Sequence, residues 1–389
     1  MKNGGGEAYD TVIIGGGLMG SSTALQLALA GQRVVVLEKD HPGRHASGVN
    51  AGGVRRLNRH PAEIPLAVAS AEMWENIAAL VDSDCDVRLT GQVRVAENAA
   101  DIDKLQERAA LVRSLGYEHE QLIDRDQLYR LVPALAPHCL GALYTARDGM
   151  ARPYHALTAF RRKAESLSVV YRSGQRVQAL EPLAAGWRVV TGQGEFTGRT
   201  VVNAAGAWAD RICALLDEPV PIMVGAPMMM VTERLPHFLD PVVGAASRML
   251  SFKQMENGTV LIGGAHLAAH DMERETTTID FTKLRESSRT VLALFPHMRS
   301  VRIVRAWAGL EAFTPDRLPV IGASSRAPGV FHAFGFSAHG FQLAPIVGRI
   351  VAEQILGQPS PLPLEAFRIQ RFDATAVVSE ETARQLPPS

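Results

Sequence analysis

The sequence predicts an α/β fold in two interleaved parts, one opened by a βαβ unit and the other built on a mixed, largely antiparallel sheet. Three observations predict it. Residues 9–38, YDTVIIGGGLMGSSTALQLALAGQRVVVLE, read in order as a buried strand, a glycine turn, a helix of small and apolar residues and a second buried strand. Short β segments bounded by turn residues recur through 222–264. A strand, a glycine-rich turn and a closing helix return in VFHAFGFSAHGFQLAPIVGRIVAEQIL. The first unit is Rossmann-like, and 389 residues suit two domains better than one core.

After Glu38 the text turns irregular through HPGRHASGVNAGGVRRLNRHP, where Gly, Asn and Pro mark a long ordered loop. Helical text runs from Ile64 to Leu80, and short β pieces at 87–96 and 140–146 flank a polar helical stretch from Asp101 to Leu115. Residues 155–206 give a helix and then the strands SVVYRS, QRVQALE, GWRVVTG and TVVNAAG. Next come IMVGAPMMMVTE and RMLSFKQMENGTVLIGG, joined to a second sheet through the hairpin signal ENG. Met228, Met229 and Met230 alternate faces of one strand and read as core filling rather than a substrate box. The expected bounds are 7–85, 147–215 and 315–372 for the nucleotide-binding domain, 86–146 and 216–314 for the second domain, and 373–389 for a polar, proline-ended tail.

Composition is ordinary globular, 47% hydrophobic and 21% charged, and the 40 basic and 40 acidic residues leave no field that would gather nucleic acid or anionic membrane. Cys85, Cys139 and Cys213 lie far apart with no CxxC pair, which argues against zinc, an iron–sulfur cluster or a disulfide framework; no metal site is expected, and a reducing cytoplasm fits. The N-terminal segment lacks the apolar core of a secretory leader, and no apolar run is long enough to span a bilayer.

Gly15, Gly17 and Gly20 occupy GxGxxG between a strand and a helix, with Leu18 and Met19 inside the motif, so the backbone can approach a pyrophosphate at the helix N-terminus. Glu38 ends the next strand, where an acid accepts hydrogen bonds from ribose hydroxyls, and Lys39 follows it. This pattern points to a dinucleotide. It does not separate FAD from NAD, which share adenosine and pyrophosphate.

Four segments carry a more specific likeness: GGGLMG with Glu38, then ASGVNAGGVR, then VVNAAGAWA, and last WAGLEAFTPDRLPVIG with GFSAHGFQLAP. In order and spacing they resemble the D-amino-acid oxidase-like FAD oxidoreductase superfamily, from Tyr9 to about Phe372. That superfamily includes glycine oxidases, sarcosine oxidases and dehydrogenase subunits acting on opines and hydroxyproline. The resemblance implies FAD, and noncovalent attachment, because positions where some relatives carry a linking cysteine or histidine read as Gly309 and Asn50. It lays the loop Ser47 to Gly53, with Asn50, Ala51 and Gly52, along the pyrophosphate and ribityl chain, where small residues let the backbone approach. It sets Val177 against adenine and Ala205 and Gly206 beside the cofactor, with Trp208 shielding it. Gly340, Phe341 and Gln342 open the last helix, whose N-terminus would face the flavin pyrimidine and favour negative charge there.

The implied reaction is oxidation of the C–N bond of an amino acid or of a secondary amine carrying a carboxylate (sarcosine-, hydroxyproline- or opine-like). Hydride passes to flavin N5 and the resulting imine hydrolyses. Such chemistry asks for exclusion of water and a well-held neutral amine rather than a triad. Arg55 aligns with an arginine that grips the substrate carboxylate in sarcosine-oxidising relatives; Arg56 is its local competitor, and a solvated basic pair is the plain alternative. His339 either steers proton loss or packs on the flavin, whereas His45 and His60 read as surface loop residues.

Glu311 stands in GLEAFTPD where amino-acid oxidases often read GLRP, and the segment resembles the β-type catalytic subunits that pass electrons to companion subunits. Facing the substrate, Glu311 would repel small dicarboxylic or plain amino-acid substrates and attract a cationic group; turned away, it would pair with Arg305 or Arg317. Gln342 stands where some sarcosine oxidases carry a lysine, which weakens a simple oxidase reading. The acceptor is therefore oxygen, a quinone or a companion electron-transfer subunit in a hetero-oligomer. A 2-hydroxy-acid dehydrogenase and a subunit with non-catalytic FAD are the competing readings.

Overall fold

A strand hydrogen-bonded on both edges and covered on both faces has to be apolar throughout. β1 (Ala8–Ile14) meets that condition from Val12 to Ile14: it runs parallel to β2 (Val34–Glu38) on one side and to Gly194–Asn203 on the other, with Val12 and Ile13 fully buried. The structure, a computed structural model, describes residues 8–372; the expected tail at 373–389 and the expected starting residue Glu7 lie outside the described residues.

The first sheet runs Val320–Ala323, Val330–Phe334, Gly194–Asn203, β1, β2, Val170–Ser173, parallel apart from its first strand. One face carries the helices α1 (Leu18–Leu29), Ile64–Glu75, Pro153–Ser166 and Gly340–Ile355, which share a single apolar core. The other face is covered by the antiparallel strands Val177–Leu183 and Gly186–Thr191, through Leu180, Trp187 and Val189. The helical text from Ile64 to Leu80 divides at Asn76, which ends one helix and precedes Ile77–Val81.

The second sheet runs Ile303–Ala308, Met228–Arg234, Thr259–Gly263, Ser251–Gln254, Val242–Ala245, Gln92–Ala96, Gly141–Thr145, Gln121–Asp124. Its pairs are antiparallel except for Val242–Ala245 beside Gln92–Ala96. The ENG signal is a turn in which the Asn257 carboxamide oxygen accepts from the Thr259 N–H and Gly258 sits at φ +85. Pleating separates the sheet's faces. Val93, Val95, Val243, Phe252, Met228 and Met230 point into a core shared with the helix Phe281–Leu294, which the sequence pattern did not announce. Gln92, Arg94, Val242, Gly244, Ser251 and Met229 line a cavity on the opposite face. Met229 is therefore a wall of that cavity rather than core filling, because its neighbours on either side take the core face.

α1 carries the run Gly20, Ser21, Ser22, Thr23, Ala24 against the closing helix, and small residues there let two helix backbones touch. A methyl group at Gly348 would lie 2.2 Å from Ser22 Oγ and 2.6 Å from the Ser22 carbonyl carbon. Gly348→Ala should therefore destabilise the protein by about 1–3 kcal/mol through overpacking. An unchanged denaturant midpoint would show that the helices can part at no cost.

Candidate active site

β1 leaves the sheet through a turn that only glycine permits. Gly15 has φ +110, and a Cβ there would lie 2.3 Å from the Ala204 carbonyl oxygen; one at Gly20 would lie 2.0 Å from the Gly15 oxygen. Gly17 caps α1 without a side-chain acceptor, so the first amides of that helix are left for other partners. Ser47 Oγ takes one of them, accepting from the Leu18 N–H at 2.9 Å. At the end of β2 the Glu38 carboxylate accepts from the Gly16 and Asp40 N–H groups, each at 2.9 Å, which fixes it beside the turn.

In front of this turn lie two cavities, of about 280 and 580 Å³, that share Gly17, Ala46, Ser47, Ala204, Gly206 and Ala207 as a common neck. Glu38, Lys39, Val177, Ala205, Gly206 and Trp208 line the smaller lobe. Leu18, Met19, Asn50, Ala51, Gly52, Gly53, Gly309, Gly340 and Phe341 line the larger. A Cβ added at Gly53 or Gly206 would meet no atom within 4 Å, so the backbone there fronts open space that a ligand can fill. Asn50 shapes the loop, donating to the Ala46 and Ser47 carbonyls and accepting from the Gly52 N–H.

Gln342 departs from its expected place. Its side chain turns inward, donating to the Ala67 carbonyl and accepting from Arg59, so it braces the closing helix and does not line the cavity. His45 is likewise no surface residue: its ring packs on Trp208 at 4.4 Å and its Nε2 lies 3.0 Å from Asp40. Sequence spacing showed no metal ligand set, yet the fold brings Asp40, His45 and Glu275 together. The Lys39 ammonium stands among them, 2.6 Å from Asp40, 3.1 Å from His45 and paired with Glu275. His60 is exposed and caps the short turn after it.

The larger lobe holds the charged groups. Arg56 is occupied, because Asp148 accepts from its Nε and from the amides of Arg56 and Leu57. Arg55 instead reaches the cavity, its guanidinium making one hydrogen bond among the described residues, to the Leu57 carbonyl. Burial pushes its guanidinium below the ordinary value. His339 also lines the lobe, its Nδ1 3.1 Å from Glu63 Oε2. Burial pushes His339 down to about 4 against the pull of Glu63, so the ring is neutral. A carboxylate beside Nδ1 favours the tautomer with the proton there, although the contact lacks hydrogen-bond geometry and neither ring nitrogen has a hydrogen-bond partner among the described residues. Burial acts to raise Glu63, but the polar His339 ring beside it and the charges of Arg59 and Arg55 outweigh it and hold it ionised.

Glu311 faces the lobe and accepts from the Ala338 N–H at 2.8 Å. Neither Arg305 nor Arg317 pairs with it; they lie over the Trp307 and Phe313 rings, and Arg317 acts on Glu311 only at longer range. Burial pushes Glu311 up to about 7.

The pattern of the family described as FAD dependent oxidoreductase (DAO) matches residues 10–354. The chain belongs to that family. FAD is its cofactor, and the neck with its glycine-only turn, the acid ending β2 and the open space before Gly53 and Gly206 fit such a group. The chain is 31% identical to a subunit of the opine oxidase of Rhizobium meliloti, over 94% of this chain and 98% of that one. It is 27% identical to glycine oxidase of Bacillus licheniformis, over 95% and 99%. The structure of L-proline dehydrogenase from P. horikoshii superposes with a TM-score of 0.88 at 27% identity, covering 95% of this chain and 98% of that one. Among the described residues, no helix is long and apolar enough to cross a membrane.

Sequence reasoning passed over Arg59, Glu63 and Arg94, and assigned Met229 to the core. Arg94, a charged residue alternating with valines in QVRVA, carried the one available signal. The site geometry can be tested at two acids. Glu38→Ala removes a fixed carboxylate from the smaller lobe and should weaken FAD binding about ten- to hundred-fold, read by flavin fluorescence; unchanged affinity would place the ribose elsewhere. Glu311 keeps in the folded state a proton that the unfolded chain loses near 4.5, so its contribution to stability falls as pH rises from there to about 7. Glu311→Gln retains the acceptor for Ala338, and its melting temperature should gain on wild type between about pH 5 and about pH 8. A constant difference would show that Glu311 ionises normally.

Proposed function

We propose that this protein oxidises the C–N bond of an amino acid or secondary amine whose carboxylate is held by Arg55, with FAD bound noncovalently through the two lobes. The observation that carries the reading is the Arg55 guanidinium, half-buried without an ion-pair partner among the described residues and lining the same lobe as the glycine loop Ala51 to Gly53. When bound, FAD supplies the hydride acceptor.

The residues of the chain do the rest. Arg55 orients the substrate by its carboxylate, and Val49, Met229, Phe336 and Phe341 exclude water from around the amine. The free Nε2 of neutral His339 accepts a hydrogen bond from the amine, while ionised Glu63 behind it steadies positive charge on the ring. Unbonded first-turn amides of Gly340–Ile355 offer a positive dipole end at the lobe wall. The relatives' names, an opine oxidase subunit and a glycine oxidase, support C–N chemistry, and the first of them supports a companion protein as electron acceptor ahead of oxygen or a quinone. Three unpaired, buried thiols suit a cytoplasmic setting.

The test is anaerobic bleaching of the bound flavin by a panel of amino acids, secondary amines and 2-hydroxy acids. Carboxylated amines should bleach it, and Arg55→Ala should lower kcat/KM about a hundred- to thousand-fold, with FAD affinity changed only a few-fold. Bleaching by hydroxy acids alone would overturn the reading. So would flavin that stays with the polypeptide after acid denaturation, as regards attachment.

A further inference from the structure

The larger lobe holds three arginines, Arg55, Arg59 and Arg94, that make no ion pair among the described residues. Arg59 is 2% exposed; its Nε donates to the Arg55 carbonyl and its Nη2 to Gln342, and its Nη1 has no partner. Arg94 emerges from the cavity face of the second sheet, and its one hydrogen bond is a long contact of 3.4 Å to the Ala246 carbonyl. Neither it nor Arg55 nor Arg59 has a carboxylate within ion-pair distance among the described residues. The nearby acids have other partners: Asp148 is with Arg56, Glu120 with Arg108, Glu97 with Arg248, Asp101 with Asn98 and Ser247, and Glu63, which acts on Arg55 and Arg59 beyond ion-pair distance, lies against His339. Burial depresses both Arg59 and Arg94, and the charge of Arg55 adds to the depression of each, so Arg55 stands close enough to repel both.

Like charges gathered in a cavity and left unpaired are costly until an anion arrives. One carboxylate does not satisfy this row. Arg59 is tied to the backbone of Arg55, so these two form a single site on the loop, whereas Arg94 stands on a strand of the other sheet with Lys104 and Arg248 also on the lobe wall. Glu311, the acid expected to repel a dicarboxylic substrate, lines the same lobe as the three arginines, hydrogen-bonded to the Ala338 N–H.

We propose that Arg94 forms a second anion subsite and sets specificity, so that the substrate is a secondary amine carrying two carboxylates, one held at Arg55 and Arg59 and the other at Arg94. This rests on the C–N oxidation proposed above and deepens it. The probes are thioethers, in which sulfur replaces the reacting nitrogen: the dianions thiodiacetate and thiodipropionate, and the monoanion (methylthio)acetate. Each is titrated into the FAD-loaded enzyme and followed by the flavin absorbance.

Wild type should bind the better dianion at least about ten-fold more tightly than the monoanion, and Arg94→Gln should bring that ratio to within about three-fold. Arg94→Lys, which keeps the charge, should retain part of the preference. No dianion preference in wild type would overturn the proposal, and so would equal losses for both ligand classes in Arg94→Gln, which is the signature of a merely structural role. Should Arg94→Gln not retain FAD, the wild-type ratio and its change in Arg94→Lys decide. Because the thioethers report binding without turnover, a dianion preference in an enzyme that no amine reduces would sink only the reaction. Amine oxidation without that preference would sink only the subsite.

Discussion

At the exit of β1 the main chain passes so close to Ala204 that a methyl group at Gly15 would sit 2.3 Å from a carbonyl oxygen, and one at Gly20 would strike Gly15 itself. Much of the cofactor site depends on this contact. It brings Ala204 to Ala207 against Gly17 and Ser47, and these residues are the neck joining the two lobes. It also leaves the first amides of α1 facing that neck, with Glu38 anchored alongside by the Gly16 amide. The same demand for small residues extends along α1, where Ser22 meets Gly348 and so sets the position of the closing helix, whose first residues line the larger lobe.

The second sheet supplies the chemistry by having two unlike faces. Val93 and Val95 are spent on the core, which obliges Gln92 and Arg94 to face the cavity, and the same alternation sets Met229 apart from Met228 and Met230. Burial then tunes what faces inward. His339 is held neutral by loss of solvent although a carboxylate lies 3.1 Å away, and Glu311 keeps its proton to about 7 because burial outweighs the Ala338 amide and the Arg317 charge that favour its ionised form. The lobe thus holds more arginines without an ion pair than its sequence neighbourhood suggests, since Asp148, Glu120 and Glu97 are taken by other arginines.

Local periodicity made the βαβ unit and the hairpin at Asn257 legible, because strand, turn and helix signals there lie within a few residues of one another. The helix Phe281–Leu294 was not legible: its buried stripe, Leu284, Ser287, Val291 and Leu294, includes a serine and is short on apolar positions. The loop 41–61 was recognisable as ordered, but its division of labour between Arg55 and Arg56 was not. That division comes from Asp148, which lies 92 residues from Arg56 in the chain. The inward turn of Gln342 was equally hidden, since its partner Arg59 is 283 residues away.

By itself, the sequence determined the glycine-only turn, the acid at the end of β2 and the order of the segments that mark the family, because each of these is a demand on backbone conformation or local pattern that particular residue types must meet. The tertiary structure decided which charges stay unpaired. Whether an arginine becomes a ligand or a brace depends on which carboxylates the fold delivers to it, and whether a histidine or glutamate is charged depends on how completely distant segments strip it of water. Those are sums over contacts between the two sheets, and no stretch of the chain contains them.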